Sequence, residues 1–362
     1  MSHSPTPAIL IDLPTVKRNI ARLAEYGRAH NIGIRPHTKT HKSIRMAQLQ
    51  LQAGAVGLTT AKVSEAITMG EAGDDLLIAF PALDGWRAEH LAKLAKTRTV
   101  RVAVDSTYAA DSIAGAARAA GVTVGILVDL DVGLHRTGVQ SPTDALQLAQ
   151  HVARTSGVRL DGIMCYPGHI KVAIPDQPPV LSPVSQILAQ TLDLWRRAGL
   201  QAAIVSGGSS PTAYQSHLIP QITEIRPGTY IYNDMSMVSC GHATLQECAA
   251  RVVCTVVSTA VPGKFVIDAG SKTLTQDRRA KDPDTAGFGY VIEYPFALIA
   301  RLTEEHGEVD ARHCDRLPRL GQRLHVIPNH ICPCVNLHST AWVTHDDGRT
   351  DPMPVDARGQ VW

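Results

Sequence analysis

Between residue 32 and about residue 230, short runs of β-branched and other apolar residues recur, bounded by Gly, Pro or polar positions. They are IGIRP (32–36), AVGLTT (55–60), DLLIAF (75–80), TVRVAVD (99–105), VTVGILVDL (122–130), RLDGIMCY (159–166), AAIVSGG (202–208) and QITEIRPG (221–228). Each reads as a strand. Between most of them lie Ala- and Leu-rich stretches such as SIRMAQLQLQAG, VSEAITMGEAG and VLSPVSQILAQTLDLWRRAG, whose apolar residues fall at helical spacing and which often end in Gly. Eight strand–helix repeats predict an α/β fold of the (β/α)8 TIM-type barrel kind, rather than an open doubly wound sheet.

The pattern changes after about residue 240. CAARVVCTVVSTAVPGKFVIDAGS, YVIEYPFALIARLTEEHGEV and RLHVIPNHICPCVNLHSTAWVTH read as strands joined by Gly, Pro and polar turns, with little helical periodicity. The expected organisation is therefore a barrel over residues 13–240 and a mostly β domain over 241–362. The early run AILID, within residues 1–12, precedes the helix-like LPTVKRNIARLAEYGRAH. It is a candidate for pairing with the β domain rather than with the barrel.

Composition narrows the function classes. A chain of 362 residues with 44% apolar and 19% charged residues is ordinary globular material, and longer than one hydrophobic core usually serves. A formal charge of +2, with basic residues scattered among acidic ones, argues against a dedicated nucleic-acid binder. No basic segment followed by a long apolar one opens the chain, and no run reaches the roughly eighteen apolar residues of a membrane span. The expectation is a soluble, cytoplasmic protein. Seven cysteines, odd in number and widely spread, suit reduced thiols. A special cysteine here would be metal-bound or catalytic.

In such barrels the chemistry gathers at the carboxyl ends of the strands. The first strand runs into His37, Lys39, His41 and Lys42, the fifth into His135 and Arg136, and the sixth into Tyr166 and His169. The seventh ends in SGGSSPT (206–212) and the eighth in RPGTY. Alone, a Gly/Ser loop is more often a turn with an N-cap serine than a phosphate cradle. Phosphate sites in barrels are often built after strands 7 and 8, which favours the cradle. A lysine at a strand end together with a phosphate loop suggests pyridoxal phosphate, whose aldehyde forms a Schiff base with an amine. Strand alternation would put His37 and Lys39 on one face and Thr38 on the other, with Lys42 where the next helix begins. In PNHICPCVNLH (328–338), His330 and Cys332 would project to one side of an extended segment, as two ligands of one Zn²⁺ with an open position. A closed site that also uses Cys334 or His338, or cysteines simply buried in a strand, are the alternatives.

These motifs, in this order and spacing over nearly the whole chain, resemble the fold-type III pyridoxal-phosphate enzymes. These are alanine racemase-like proteins, and the resemblance is to their D-threonine aldolase and D-serine dehydratase group. The residues that carry it are RPHTKTHK, DVGLHRTGV, GIMCYPGH, SGGSSPT, EIRPGTYIYND and PNHICPCVNL. The resemblance implies that Lys39 binds the cofactor aldehyde, that Arg136 contacts its phenolic oxygen and that Tyr166 lies near its pyridine nitrogen. Ser206, Gly207, Gly208, Ser209, Gly228 and Thr229 would hold the phosphate. His330 and Cys332 would bind Zn²⁺, or Mn²⁺ or Co²⁺, from the second domain, and the protein would be a homodimer. Within the group, His-x-Cys at the metal pair goes with dehydratases and His-x-Asp with aldolases.

The activity expected is metal-assisted dehydration of a D-β-hydroxy amino acid (D-serine, D-threonine or hydroxyaspartate) to a 2-oxo acid and ammonia. Lys39 would act as general base, with His169 and His41 as candidates for moving further protons. The rival is a D-threonine-type aldolase, giving glycine and an aldehyde. A racemase, which has no use for a metal pair, and a non-catalytic carrier of the cofactor, which needs no β domain, rank lower. Neither nucleic acid nor membrane is an expected partner.

Overall fold

The computed structural model describes residues 5–278 and 287–362. They form two compact units. One comprises Ile20–Lys39, Ile44–Gly228 and Gln360–Trp362; the other comprises the described parts of Met1–Asn19, Thr40–Ser43 and Thr229–Gly359.

The first unit is a barrel of eight parallel strands: Gly33–Ile34, Leu58–Thr60, Asp75–Ile78, Thr99–Val104, Val124–Leu130, Val158–Cys165, Ile204–Gly207 and Glu224–Ile225. Each of the eight predicted runs overlaps one of them, and seven contain theirs whole; Val158–Cys165 begins one residue before its run, RLDGIMCY (159–166). From the second strand to the eighth, each pairs with the next, and the first pairs with the eighth. An isolated parallel bridge between His37 and Thr59 closes the ring between the first and second strands, helped by the Val56 amide donating to the Ile34 carbonyl at 2.8 Å.

The outer helices follow from spacing and caps. In Thr107–Ala120, the buried residues Ala109, Ala110, Ile113, Ala114 and Ala117 form a stripe at three- and four-residue steps. The Ser106 hydroxyl accepts from the Ala109 amide at the start of this helix, and Gly121 ends it with φ 67°.

Along each strand, every second side chain points into the barrel, so the interior is built in layers. The layer at the amino ends is ionic. Arg35 Nε donates to Glu224 at 2.9 Å, and Arg35 and Arg101 share Asp75 at 2.5 and 2.6 Å. Arg101 and Arg159 in turn share Asp161 at 2.8 and 2.5 Å. Gly125 completes this layer because a Cβ there would come within 2.3 Å of Asp161 Oδ2. Two residues further along the strands lies an apolar layer of Leu77, Ala103 and Leu127, with Met164. Asp129, two beyond Leu127, reaches the carboxyl end.

The second unit is mostly β. Ala8–Asp12 pairs antiparallel with Ala250–Ser258 and parallel with Thr340–Thr344, so the early AILID run belongs to this sheet. Arg323–Ile327 and Lys264–Ile267 flank Ala250–Ser258, and Thr350–Pro354 pairs with Thr340–Thr344. Among the described residues, no helix is long and apolar enough to cross a membrane.

Candidate active site and metal pair

The first barrel strand ends at Ile34, and Thr38–Thr40 is a 3₁₀ turn. The expected alternation of His37, Thr38 and Lys39 across a strand is therefore corrected. In a three-residue turn, successive side chains diverge by about 120° rather than alternating. Lys39 is nonetheless distinguished. Of residues 35–43 it alone is exposed; the side chains of Thr38, Thr40, His41 and Ser43 are wholly buried. The Thr38 hydroxyl donates to Glu65 Oε1 at 2.6 Å, and the second oxygen of that buried carboxylate accepts from the Ala61 amide at 3.0 Å. Lys39 ends the barrel segment, and the chain passes into Thr40–Ser43 of the β unit. There Lys42 is buried, with its Nζ donating to the Ala357 carbonyl at 3.2 Å. His41 is also buried, and its Nδ1 accepts from the Ser43 amide.

The loops after the fifth and sixth barrel strands come together. The Arg136 guanidinium stands over the Tyr166 ring, 5.1 Å from its centroid. Gly133, with φ 116°, packs against His169, whose ring a Cβ would approach to 3.1 Å. Asp131 ties the first of these loops by accepting from the amides of Gly133, Leu134 and His135 at 3.0 to 3.1 Å. Partial burial would raise its pKa, but these donors and the His135 ring hold it below the usual carboxylate value. Asp129 behaves differently. Burial pushes its carboxyl up to about 6, against a Thr137 hydrogen bond and the charges of Arg226 and Arg136.

Arg226, which the sequence reading passed over, is buried behind these loops. It donates from NH1 to Ser206 Oγ at 2.7 Å and from NH2 to the Cys165 carbonyl at 2.8 Å. Ser206 passes the chain on by donating to Glu224 at 2.6 Å, so its hydroxyl is engaged inside the barrel. Burial lowers the Arg226 pKa. The sequence signal was Glu224 and Arg226 at strand spacing in a run expected to be buried, where charges persist only when paired.

The seventh and eighth strand ends form a single cradle. The Ser209 amide donates to Thr212 Oγ1 at 3.1 Å, and the Gly228 amide donates to Ser210 Oγ at 3.1 Å. Gly208 has φ 73°, and a Cβ on it would lie 2.8 Å from Ile225; one on Gly207 would lie 2.8 Å from Ile222. Side-chain-free backbone lined with hydroxyls suits a phosphate. At the end of the second strand, Thr60 Oγ1 is buried without a hydrogen-bond partner. An exposed lysine, an anion cradle and such an orphaned hydroxyl fit pyridoxal phosphate.

In the β unit, His330 caps the helix Ile331–Leu337, and Cys332 lies in its first turn. The extended segment expected to align the pair is thus corrected to a helix start. The two side chains still meet in a hydrogen bond. His330 Nδ1 lies 2.9 Å from Asp277 Oδ2. Burial pulls the His330 pKa down, but the Cys332 contact and the charges of Cys332, Asp234 and Asp277 drive it up to about 9. Asp234, buried, accepts from the amides of Ile331 and Met237 at 3.0 Å, and so fixes the turn. Cys332 Sγ is 3.2 Å from Thr40 Oγ1 and 3.7 Å from Thr229 Oγ1, which places Thr229 beside the thiol.

Cys334 and His338, the extra ligands of a closed site, both turn instead to the Thr273 carbonyl, at 3.1 and 3.2 Å. Among the described residues, no cluster of three or more His, Cys, Asp or Glu is set to hold an ion. The donor set is one nitrogen and one sulfur in an anion-rich setting. That fits a divalent ion of zinc type with positions left open.

Two family models match the chain. Residues 11–236 match the alanine racemase N-terminal domain, and residues 249–344 match a model described as "Putative serine dehydratase domain". The D-threo-3-hydroxyaspartate dehydratase of Delftia sp. (strain HT23) is 32% identical over 349 residues, covering 90% of each chain. The crystal structure of D-threonine aldolase from Filomicrobium marinum superposes with a TM-score of 0.91 at 29% identity, covering 100% of this chain and 98% of that one. A metal-free structure of a D-threo-3-hydroxyaspartate dehydratase variant, with one cysteine changed to alanine, gives 0.89 at 30% identity and covers 100% and 99%.

Proposed function

This chain belongs to the family of the alanine racemase N-terminal domain, and on that premise we propose a pyridoxal-phosphate- and divalent-metal-dependent lyase that dehydrates D-β-hydroxy amino acids to 2-oxo acids and ammonia. The observation that carries the reading is the contact between His330 and Cys332, a nitrogen–sulfur donor pair of the kind the dehydratase branch calls for. When bound, the cofactor supplies an electron sink for the α-carbanion, and the metal supplies Lewis acidity toward the β-oxygen.

The residues divide the remaining work. Lys39 offers the exposed amine that binds the cofactor aldehyde and then takes the α-proton at Nζ. Gly207–Ser209 and Gly228 hold the phosphate through backbone and hydroxyls. Arg136 and Tyr166 orient the ring. With Nδ1 against Asp277, Nε2 is the nitrogen through which His330 would coordinate, and the carboxylate would fix its tautomer. The exposed His169 ring is placed to exchange protons with solvent, whereas buried His41 supports the turn. All seven cysteines are free thiols, in keeping with a reducing, cytoplasmic setting; a homodimer is what the family resemblance implies.

The fit to a D-threonine aldolase structure favours one second reading, cleavage to glycine and an aldehyde. A product assay separates the two. D-serine, D-threonine and D-3-hydroxyaspartate are incubated with the purified protein, with and without chelator. The dehydratase reading expects 2-oxo acid and ammonia, suppressed by chelator. Glycine plus aldehyde with no oxo acid would overturn it.

A further inference from the structure

The contact between Thr40 and Cys332 joins residues 292 positions apart in sequence. Thr40 is wholly buried, and its Oγ1 lies 3.2 Å from Cys332 Sγ, a hydrogen-bonding separation for sulfur. Its β-branched side chain has little freedom at χ1, so the hydroxyl is delivered at one angle. The backbone of Cys332 is equally fixed, lying between the Ile331 amide held by Asp234 and Pro333. Two rigid partners make a directional bond rather than an incidental contact. Thr229 Oγ1, at 3.7 Å, is a weaker second neighbour of the same sulfur.

We propose that Thr40 is a positioning residue for the metal: its hydroxyl donates to the Cys332 thiolate, orienting a sulfur lone pair toward the ion and moderating the charge on the sulfur. The inference rests on the reading of His330 and Cys332 as the metal pair. Hydrogen bonds of this kind hold a ligand in its coordinating geometry, and their loss commonly costs about 10- to 100-fold in metal affinity. Thr40 also directly follows Lys39, so the residue after the cofactor lysine orients a metal ligand.

The test uses the pyridoxal-phosphate-loaded protein stripped of metal and titrated with Co²⁺ against a chromophoric chelator. Affinity and the cobalt–thiolate charge-transfer absorption are recorded for wild type, Thr40→Val, Thr40→Ser and Cys332→Ala. Thr40→Val keeps the shape and removes the hydroxyl. It should weaken Co²⁺ binding about 10- to 100-fold and shift the charge-transfer band, while Thr40→Ser stays within about threefold of wild type. Unchanged cofactor absorbance and melting temperature show that the variants are folded. Wild-type affinity and band position in Thr40→Val would overturn the inference alone. Equal Co²⁺ binding by wild type and Cys332→Ala, with no thiolate band in either, would overturn the metal pair itself.

Discussion

The Thr38 hydroxyl donates to the Glu65 carboxylate at 2.6 Å, tying the residue before Lys39 to the first turn of the helix Val63–Met69. Both carboxylate oxygens are used, since Oε2 accepts from the Ala61 amide, and the side chain is wholly buried. In Glu65→Gln, one charge-assisted acceptor becomes an NH₂, which either opposes the Ala61 amide or obliges the Thr38 hydroxyl to accept and to turn its own proton to the Thr59 carbonyl. The expected cost is about 1–3 kcal/mol, read as a lower urea midpoint, together with weaker retention of pyridoxal phosphate during dialysis. An unchanged midpoint and unchanged retention would show that this bond does not hold the turn.

The two lysines of the turn should respond in opposite ways. Lys39→Ala removes an exposed side chain, so the fold survives while the visible absorption of bound pyridoxal phosphate, and its fixation by borohydride, disappear. Lys42→Met removes a buried amine that donates to Ala357. It should leave the absorption intact and lower stability by about 1–3 kcal/mol, because that carbonyl loses its donor. Absorbance spectra and urea titrations of the two variants decide the assignment.

The ionic layer inside the barrel is a stability element. Burial lowers the proton affinity of Arg35, and Glu224 and Asp75 more than restore it, which leaves its pKa raised. Glu224→Ala would leave Arg35 with only Asp75, which it shares with Arg101, and would remove the acceptor of Ser206. A loss of about 3–5 kcal/mol is expected. With Arg35 3% and Glu224 6% exposed, the loss should be nearly the same in about 0.05 M and 0.5 M salt, since counter-ions do not reach the pair. A salt-sensitive loss below about 1 kcal/mol would mark it as a surface-like pair.

Asp129 should leave a pH signature. Its folded pKa of about 6 lies above its ordinary 3.8, so the folded chain holds this proton more tightly than the unfolded chain. The resulting stabilisation is full below about pH 4 and is lost as the pH rises through about 6. Asp129→Asn cannot titrate. Its stability relative to wild type should rise by about 2–3 kcal/mol between pH 4 and pH 7, measured by urea unfolding at each pH. A constant difference across that range would mean that the carboxyl is not perturbed.

Much of the barrel was legible along the chain because parallel strands buried on both faces appear as unbroken apolar runs, and helices announce themselves by spacing, serine caps and terminal glycines. Leu127 and Val128, both buried in one strand, show the first signature; Ser106 and Gly121 show the second. The candidate chemistry was legible too, since Lys39, the Gly207–Gly208 pair and His330 with Cys332 are local motifs. Pro333 was the overlooked local signal. Proline in a first turn marks a helix start, and that is where the pair meets.

Tertiary structure decided which groups surround those motifs. Arg35 with Glu224, Thr38 with Glu65, His330 with Asp277 and Thr40 with Cys332 join residues 189, 27, 53 and 292 apart. Backbone periodicity is a property of neighbours, so a single chain displays it. A side-chain hydrogen bond depends on two remote backbones arriving at one distance and angle, and neither residue carries a local mark of its partner. The amino-acid sequence alone therefore determined the kind of barrel and the motifs on its rim. Only folding determined that Lys39 stays open while Lys42 is buried, and that Cys332 Sγ meets the hydroxyl of the residue after Lys39.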